Sequence, residues 1–337
     1  MKTFMLVGDT TDNAGPSNVH RELIAHWPDG EELLLPNWSS AASKLSSTIA
    51  CALRCDALLT TGSGRLGAIA GAIARRRGVP VVVLVHGYLP YENEVNGLGL
   101  SGDEVRRWCE VLRGADIVAT NSEFHARCLR EAEPGLADIV RWFNLGIEPF
   151  TQRDHVTGEG SIRVAVSGGT RPIKGNEVVA RACSLLQDQG HAVDLAVYGR
   201  SYSANAALEE GVRRCNGRMM GQVSQDEFLD ALTCTDVFVM DSRRESFGLS
   251  AIDALRGGAS LLISCNCGVA GVLALEEGDV VSDCEDAAEI AREILNLAAH
   301  PNSRRLYEAL SFDALSWDVA AARLCEICHE ATAATIR

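Results

Sequence analysis

The sequence has no apolar run that approaches the roughly 18 residues a helix needs to cross a bilayer. Its start, MKTFMLVGDT, lacks the apolar core of a secretion signal and is typical of a strand that leads into a polar loop. Positive charge is also in deficit, since 31 Lys and Arg against 45 Asp and Glu give a formal net charge of −14. These absences argue against a membrane span and a nucleic-acid partner. We expect a cytoplasmic protein, and attachment to the inner face of a membrane stays open.

The length predicts two domains. At 337 residues the chain exceeds the roughly 100 to 200 of a typical domain. With 47% hydrophobic and 23% charged residues, its composition is that of an ordinary globular protein. The polar, unpatterned stretch 151–160 reads as a linker. We predict a first domain at 1–150, a second at 161–315 and a terminal helix at 316–337. Packing of this helix back on the first domain is one option that stays open, as does the oligomeric state.

The twelve cysteines do not indicate a disulfide scaffold. Most lie inside apolar runs and are expected to be reduced, buried thiols, among them Cys51, Cys183, Cys234 and Cys265. Cys325, Cys328 and His329 have the C-x-x-C-H spacing of covalent haem attachment. Because they lie on a terminal amphipathic stretch without an export signal, we predict two core-facing cysteines that carry no cofactor.

Apolar runs alternate with helical patterns along the first half, which predicts parallel strands joined by helices. Val81 to Val85 is an unbroken run of Val and Leu, so it is expected to be a central strand that delivers His86 to its carboxyl end. Open α/β sheets bind ligands at that edge. The polar and aromatic stretch 88–96 is a candidate loop for a second substrate.

Two glycine-bearing turns follow strands in this half. The loop 8–17 contains Gly15, where a missing side chain would let the backbone approach a ligand. Gly62, Gly64 and Gly67 form a G-x-G-x-x-G between a strand and a helix, which raises the alternative of an NAD(P)-dependent oxidoreductase. That alternative is weakened because the next strand ends in His86, where an NAD site requires an acid. Such a turn also lets a helix pack close to its sheet.

The most informative stretch runs from Thr235 to Leu255. Val237 to Met240 reads as a buried strand, Ser242 to Phe247 as a polar turn, and Gly248 to Leu255 as a helix. Unpaired N–H groups at a helix start after a strand favour an anion. Glu245 and Asp253, eight residues apart, would lie roughly 12 Å apart along one face.

Glu-Ser-Phe-Gly-Leu-Ser followed by Ala-Ile-Asp-Ala-Leu resembles the E-x7-E segment of retaining glycosyltransferases of the GT-B fold, in the GT4-like group 1 family. The resemblance implies that Glu245 holds donor-sugar hydroxyls and that Asp253, which stands where the family has Glu, holds the ribose. It also implies that His86 reaches the donor sugar.

Further segments match the family in order. Lys174 and Gly175 match its basic segment, whose arginine and lysine neutralise the donor diphosphate. The arginine position, five residues before the lysine, holds Gly169 here, and Arg171 is the candidate substitute. The segment 144–148 resembles the turn that closes the first domain, and Ser316 with Trp317 resembles the motif that opens the terminal helix.

The resemblance implies an α/β protein of GT-B architecture, with two Rossmann-like doubly wound domains facing a cleft. The expected function is a retaining transfer of a sugar, with UDP favoured as the nucleotide, to a glycan, lipid-linked, protein or small-molecule acceptor. No cofactor is implied, and no Asp-x-Asp is present to imply a chelated metal. A non-catalytic GT-B-like binding subunit stays open. The expected catalytic residues are Glu245 and His86, and the expected donor-binding residues are Lys174, Arg171, Gly168, Gly169, Ser246, Phe247, Gly248, Leu249, Asp253 and Gly15.

Overall fold

The computed structural model describes residues 1–11, 15–37, 39–62, 64–156, 158, 160–202 and 204–335. The chain forms two compact units. Unit 1 comprises Met1–Asn93, Leu98–Glu148 and Phe312–Arg337, and unit 2 comprises Glu94–Gly97 and Pro149–Ser311. None of the helices in the described residues combines the length and apolar character needed to span a bilayer.

Unit 1 is built on a six-stranded parallel sheet in the order β2-β1-β3-β4-β5-β6. The strands are β1 Thr3–Val7, β2 Glu32–Leu34, β3 Ala57–Thr61, β4 Val81–Val85, β5 Ile117–Thr120 and β6 Val140–Trp142. The helices are α1 Gly15–Ala25, α2 Ala41–Ala52, α3 Arg65–Arg77, α4 Leu89–Asn96 (whose last turn is counted with unit 2), α5 Gly102–Arg113, α6 Glu123–Ala132 and, at the end of the chain, α13 Trp317–Thr335.

Unit 2 contains a second six-stranded parallel sheet, in the order β12-β11-β10-β7-β8-β9. The strands are β7 Ile162–Val166, β8 Val193–Tyr198, β9 Arg218–Gly221, β10 Val237–Met240, β11 Ser260–Ser264 and β12 Val280–Val281. The helices are α7 Asn176–Asp188, α8 Ala206–Arg214, α9 Gln225–Thr233, α10 Leu249–Gly257, α11 Ala287–Ala299 and α12 Ser303–Glu308. Two doubly wound α/β units confirm the predicted fold class.

The strand order of each sheet reverses at one point. In unit 1 the reversal lies between β1 and β3, and in unit 2 it lies between β7 and β10. The loops that leave two such strands diverge to opposite faces of the sheet and open a crevice at the carboxyl edge. The segments after β7 and β10 therefore flank the crevice of unit 2.

Local sequence rules explain several elements. All five residues of β4 are buried, as expected for a strand covered by helices on both faces. Helix α9 begins with a capping box, in which Ser224 accepts from the Glu227 amide and Glu227 accepts from the Ser224 amide. Cys325 and Cys328 are 4% and 0% exposed on α13, which confirms their core-facing position.

Two predictions are wrong. The stretch 88–96 is not a loop, because Leu89–Asn96 forms α4; Pro90 lies in its first turn, where the missing N–H costs nothing. Of the four cysteines expected to be buried from their apolar flanks, Cys234 and Cys265 are exposed. Both follow the last apolar residue of an element, where the chain emerges from the core.

Candidate active site

The crevice of unit 2 brings two predicted site residues into contact. Lys174 ends a short 3₁₀ turn, Pro172–Lys174, that follows β7, and Glu245 lies in the turn after β10. The Lys174 ammonium donates a hydrogen bond to the Glu245 carboxylate in an ion pair. The two side chains are 22% and 16% exposed, so the pair is largely withdrawn from water. A lysine with three donors can keep this contact and still bind a second anion.

The backbone around Glu245 is fixed by the neighbouring turn. Its N–H donates to the Asn266 carbonyl at 2.9 Å, and its carbonyl accepts from the Gly268 amide at 3.0 Å. These bonds form an isolated parallel bridge between Glu245 and Cys267. The carboxylate is thus presented from a backbone that is held on both sides, as a preorganised site requires.

The start of α10 is shaped for an anion. Gly248 precedes Leu249 with φ of 110°, and a Cβ there would lie 2.8 Å from the Met240 sulfur. Glycine is therefore required at this position. No side chain caps this helix start in the described part of the chain. The Ala251 amide donates to the Gly248 carbonyl at 3.0 Å, so the amides that precede it are the ones left to a ligand. Ser246 is partly exposed, whereas Phe247 is 1% exposed and packs in the core. Only the backbone of Phe247 is therefore available to a bound sugar donor.

The glycine loop after β7 explains the departure at the arginine position. Gly169 has φ of 63°, and a Cβ there would lie 1.9 Å from the Arg200 carbonyl oxygen. No side chain fits. Gly168 has φ of 95°, and a Cβ there would lie 2.5 Å from Cγ of Lys174. The aliphatic part of the Lys174 side chain therefore packs directly against the Gly168 backbone. Asn176 supports this loop by donating to the Gly169 carbonyl at 2.9 Å.

Neighbouring arginines have protein partners. The Arg171 guanidinium carbon lies 5.4 Å from the ring centroid of Tyr202, a side chain that is 60% exposed. Arg243 lies closer to the core, where it pairs with Glu177 at 2.7 Å and with Glu285 at 2.6 Å. Two carboxylates already neutralise Arg243, so Arg171 is the better candidate of the two for a phosphate contact.

Asp253 lies in α10 and accepts a hydrogen bond from Nε2 of Gln225 at 2.9 Å. Burial raises the pKa of its carboxyl to about 6, while the Gln225 bond opposes the rise. The group therefore changes charge close to physiological pH. Sequence reasoning did not identify Gln225, because the pairing joins two helices 28 residues apart in sequence.

Asp241 is a buried acid that sequence reasoning also missed. It directly follows β10, is 0% exposed, and neither carboxylate oxygen has a hydrogen-bond partner within the described residues. Burial raises its pKa to about 9; Arg243 opposes the rise and Glu285 adds to it. Gly175 leaves room for this side chain, since a Cβ there would lie 2.8 Å from Oδ2 of Asp241. Asp241 is thus a neutral acid at pH 7.

At the carboxyl edge of unit 1, His86 follows β4 as predicted and lies in a chain of hydrogen bonds. Its Nε2 is 2.8 Å from Nε2 of His20 on α1, and its Nδ1 is 2.9 Å from Nδ2 of Asn121, which follows β5. Burial lowers the pKa of His86 to about 3, with His20 and His125 contributing. Both ring nitrogens are engaged, so a ring contact to a sugar requires His86 to exchange a partner.

The two glycine turns of unit 1 differ in whether there is space for a side chain at the glycine. Gly15 begins α1, is exposed, and a Cβ there would meet nothing within 4 Å; the preceding residues 12–14 lie outside the described residues. A Cβ at Gly67 would lie 2.7 Å from Oγ1 of Thr60. The G-x-G-x-x-G turn thus allows α3 to pack against β3, and a dinucleotide site is not needed to explain it.

One group of possible metal ligands lies in unit 1. A ligand atom from each of Glu22, His26 and Glu148 lies within 4.8 Å of the others. The His26 ring also contacts Asp318 at 2.8 Å, and Glu148 is 61% exposed. Contacts of the His26 ring with the neighbouring carboxylates account for this arrangement, and no metal role follows from it.

Comparison with known families decides the assignment. A model of family 4 glycosyltransferases in conflict systems matches residues 63–324. The chain belongs to this family. Among characterised relatives, the D-inositol 3-phosphate glycosyltransferase of Streptomyces avermitilis is 25% identical over 297 residues, 79% of this chain, and that of Streptomyces scabiei is similarly 25% identical. The chain spans 62% and 65% of the length of these two relatives.

Solved structures agree with the family assignment at the level of fold. Sucrose-phosphate synthase from Thermosynechococcus elongatus superimposes with a TM-score of 0.71 at 17% identity, covering 99% of this chain and 100% of that one. HepE from Anabaena, in complex with UDP and glucose, gives 0.68 at 14% identity, covering 98% and 100%. Both the GT-B fold and the GT4-like resemblance are thereby confirmed, and the comparisons do not favour the oxidoreductase alternative.

Proposed function

We propose that this family 4 member transfers a sugar from a nucleoside-diphosphate donor to an acceptor hydroxyl with retention of configuration, and that UDP is the nucleotide. The observation that carries the proposal is the contact of Lys174 with Glu245 beside the uncapped start of α10, at the point where the strand order of unit 2 reverses. One cation, a set of helix-start amides and one carboxylate converge there. HepE, with the same fold, was solved with UDP and glucose, which makes UDP-glucose the first donor to test.

The leaving diphosphate requires positive groups. Lys174 would supply a mobile ammonium, and the amides of Gly248 and Leu249 would supply fixed dipoles. Arg171, whose guanidinium carbon lies 5.4 Å from the ring centroid of Tyr202, would add a second charge. Gly168 and Gly169 would let the phosphates approach the backbone closely. These protein groups can perform the charge neutralisation that a metal performs elsewhere.

The sugar and the nucleotide would be held by acids. Glu245, with its backbone fixed on both sides, would accept hydrogen bonds from sugar hydroxyls and stabilise positive charge that develops on the ring. Asp253, oriented by Gln225, would accept from the ribose hydroxyls. His86 would orient the sugar. Because the relatives named above act on D-inositol 3-phosphate, that compound is the first acceptor to try.

The decisive experiment measures release of UDP from UDP-sugars, with and without acceptor, by the wild type and by Glu245→Gln. The amide keeps the shape and removes the charge, so kcat should fall by roughly 10² to 10³. Affinity for UDP alone should hold or rise, because the substitution removes the carboxylate that competes for Lys174. Glu209→Gln, at an exposed position of α8, is the matched control and should behave as the wild type.

Normal turnover by Glu245→Gln would remove Glu245 from the site. A wild type that binds UDP tightly but turns over no UDP-sugar would instead support a non-catalytic binding subunit. A wild type that binds no nucleoside diphosphate would contradict the proposal as a whole.

A further inference from the structure

Four residues from separate segments form a continuous hydrogen-bonded chain at the carboxyl edge of the sheet in unit 1. The Asp9 carbonyl oxygen lies 2.7 Å from Nδ1 of His20, the two Nε2 atoms of His20 and His86 are 2.8 Å apart, and Nδ1 of His86 is 2.9 Å from Nδ2 of Asn121. His20 and Asn121 are only 2% exposed. Neither was singled out by the sequence.

The groups at the two ends of this chain, the Asp9 carbonyl and the Asn121 NH₂, fix the protons between them. A backbone carbonyl only accepts, so Nδ1 of His20 carries a hydrogen. If His20 is neutral, its Nε2 is an acceptor, and His86 must then donate from its own Nε2. A neutral His86 accepts at Nδ1, which agrees with the Asn121 amide presenting its NH₂ group. The chain is self-consistent only with both imidazoles neutral.

We propose that His20 and Asn121 are positioning residues that hold His86 as a neutral imidazole with its hydrogen on Nε2. The inference rests on the proposed function for its catalytic meaning, though not for its test. A sugar that leaves a diphosphate gains positive charge, and an imidazolium beside it would raise the barrier by repulsion. The second histidine prevents this, because two adjacent imidazolium groups repel each other.

Some groups around His20 and His86 raise the pKa of these histidines and others lower it. His20 on α1 and His125 on α6 lower the pKa of His86, and burial is the largest cause. Asp9 follows β1 and raises the pKa of His20 against the effect of burial. Glu92 on α4 lies close to Gly87, the residue after His86, because a Cβ at Gly87 would clash with Oε1 of Glu92. Removing His20 should therefore raise the pKa of His86 and shift where it titrates.

Nitrogen NMR of protein labelled in its eight histidines reports the tautomer directly. With the signal assigned by His86→Gln, His86 of the wild type should stay neutral with hydrogen on Nε2 between about pH 5 and 8. His20→Leu should give a mixture of tautomers and a titration at higher pH. Asn121→Asp, an isosteric acceptor, should shift the hydrogen to Nδ1 or create the imidazolium. His300→Leu, at the exposed end of α11, should change nothing.

Kinetics then connect the tautomer to turnover. His20→Leu should lose roughly 10- to 100-fold in kcat, since a misoriented group commonly costs this much, and should acquire a new acidic limb in its pH profile. His20→Gln, whose side-chain oxygen can accept from Nε2 of His86, should recover most of the loss. A purely packing role for His20 would predict no rescue and no change in the profile.

An imidazolium or an Nδ1–H tautomer at His86 in the wild type would overturn the proposal, as would an unchanged His86 spectrum in His20→Leu. The NMR readout needs no substrate. If the wild type shows no transferase activity, the proposed function fails while the spectrum still decides the role of His20.

Discussion

Each of the two units is built on a six-stranded parallel sheet with helices on both faces. The carboxyl edges of the two sheets nevertheless differ in charge: the hydrogen-bonded histidines at the edge in unit 1 are neutral, whereas the edge in unit 2 carries charged groups. Unit 1 ends in a neutral chain of two histidines and an asparagine whose hydrogen bonds satisfy one another. Unit 2 ends in a Lys174–Glu245 ion pair, a helix start that no side chain among the described residues caps, and a buried neutral acid, Asp241. Both sheets are parallel and reverse their strand order at one point, although the strand orders themselves differ. The electrostatic difference lies in the residues that the turns carry.

The contrast indicates a division of labour. Charge and open helix amides suit a diphosphate, whose binding is electrostatic. A neutral, locked imidazole suits orientation of an uncharged sugar. The loops also differ in tolerance, because the glycine loop of unit 2 has no space for side chains whereas Gly15 in unit 1 has open space around it. The predictions below test each half of this comparison.

The largest effect is expected from Gly169→Ala in unit 2. Its positive φ and the Arg200 carbonyl 1.9 Å from the new Cβ require backbone movement. We expect a loss of roughly 3 kcal/mol or more in the free energy of unfolding. Thermal and denaturant unfolding measure it, and Gly135→Ala in unit 1, where a Cβ would meet nothing within 4 Å, is the control. A stable Gly169→Arg variant with improved donor binding would contradict the steric account of the missing arginine.

Asp241 should make unit 2 sensitive to alkali. Its pKa in the folded state, about 9, is above the ordinary value of 3.8, so the folded form binds an extra proton and stability falls as pH rises from about 4 to about 9. The slope should be at most about 1.4 kcal/mol per pH unit. Asp241→Asn should flatten it and be the more stable protein near pH 9, as measured by denaturant unfolding across pH.

Asp279 is the matched control, because it is 3% exposed but hydrogen-bonded to Asn302 and Arg305. Asp279→Asn should lower stability without flattening the pH slope. An unchanged slope in Asp241→Asn would assign the alkaline sensitivity to another group.

Asp253 should couple donor binding to pH. With its pKa raised to about 6, the carboxylate that would accept from ribose hydroxyls is lost below that pH. Affinity for a nucleotide sugar should then fall by up to about tenfold per pH unit, and Asp253→Asn should bind weakly without this pH dependence. Calorimetry should use the nucleotide sugar, because the terminal phosphate of a free diphosphate titrates near pH 6 as well. An equal pH dependence in wild type and variant would remove Asp253 from the nucleotide site.

The smallest effect on folding is expected at Gly15. Gly15→Ala places a Cβ in open space at a helix start, so stability should change by no more than about 0.5 kcal/mol. Any loss of turnover would therefore report close approach of substrate to this backbone. Unchanged turnover together with unchanged stability would withdraw Gly15 from the donor-binding residues.

The sequence predicted local features well. The strand at Val237–Met240 has the bounds expected, because a short apolar run and the polar turn after it define the strand locally. The fold class followed from alternating apolar runs and helices together with the family resemblance. Helix α4 was missed because the stretch is rich in polar and aromatic residues and has no apolar stripe.

Contacts between distant segments could not be predicted. Lys174 and Glu245 are 71 residues apart, and His20 and His86 are 66 apart, so nothing in the local pattern joins them. Expecting Glu245 and Lys174 to act separately overlooked their ion pair. The burial of Asp241 is equally invisible, since an acid after a strand is usually solvated at a crevice. The roles of the site residues stay predictions.

The central claim is that unit 2, not unit 1, holds the diphosphate through Lys174. Titration calorimetry with UDP against Lys174→Ala, Lys44→Ala and His86→Ala tests it most directly. Lys174→Ala should bind roughly 10- to 100-fold more weakly, as expected for loss of a charged hydrogen-bond partner. Lys44→Ala, on α2 of unit 1, and His86→Ala should match the wild type within about twofold. Unchanged affinity in Lys174→Ala, or a loss as large in His86→Ala, would contradict the account.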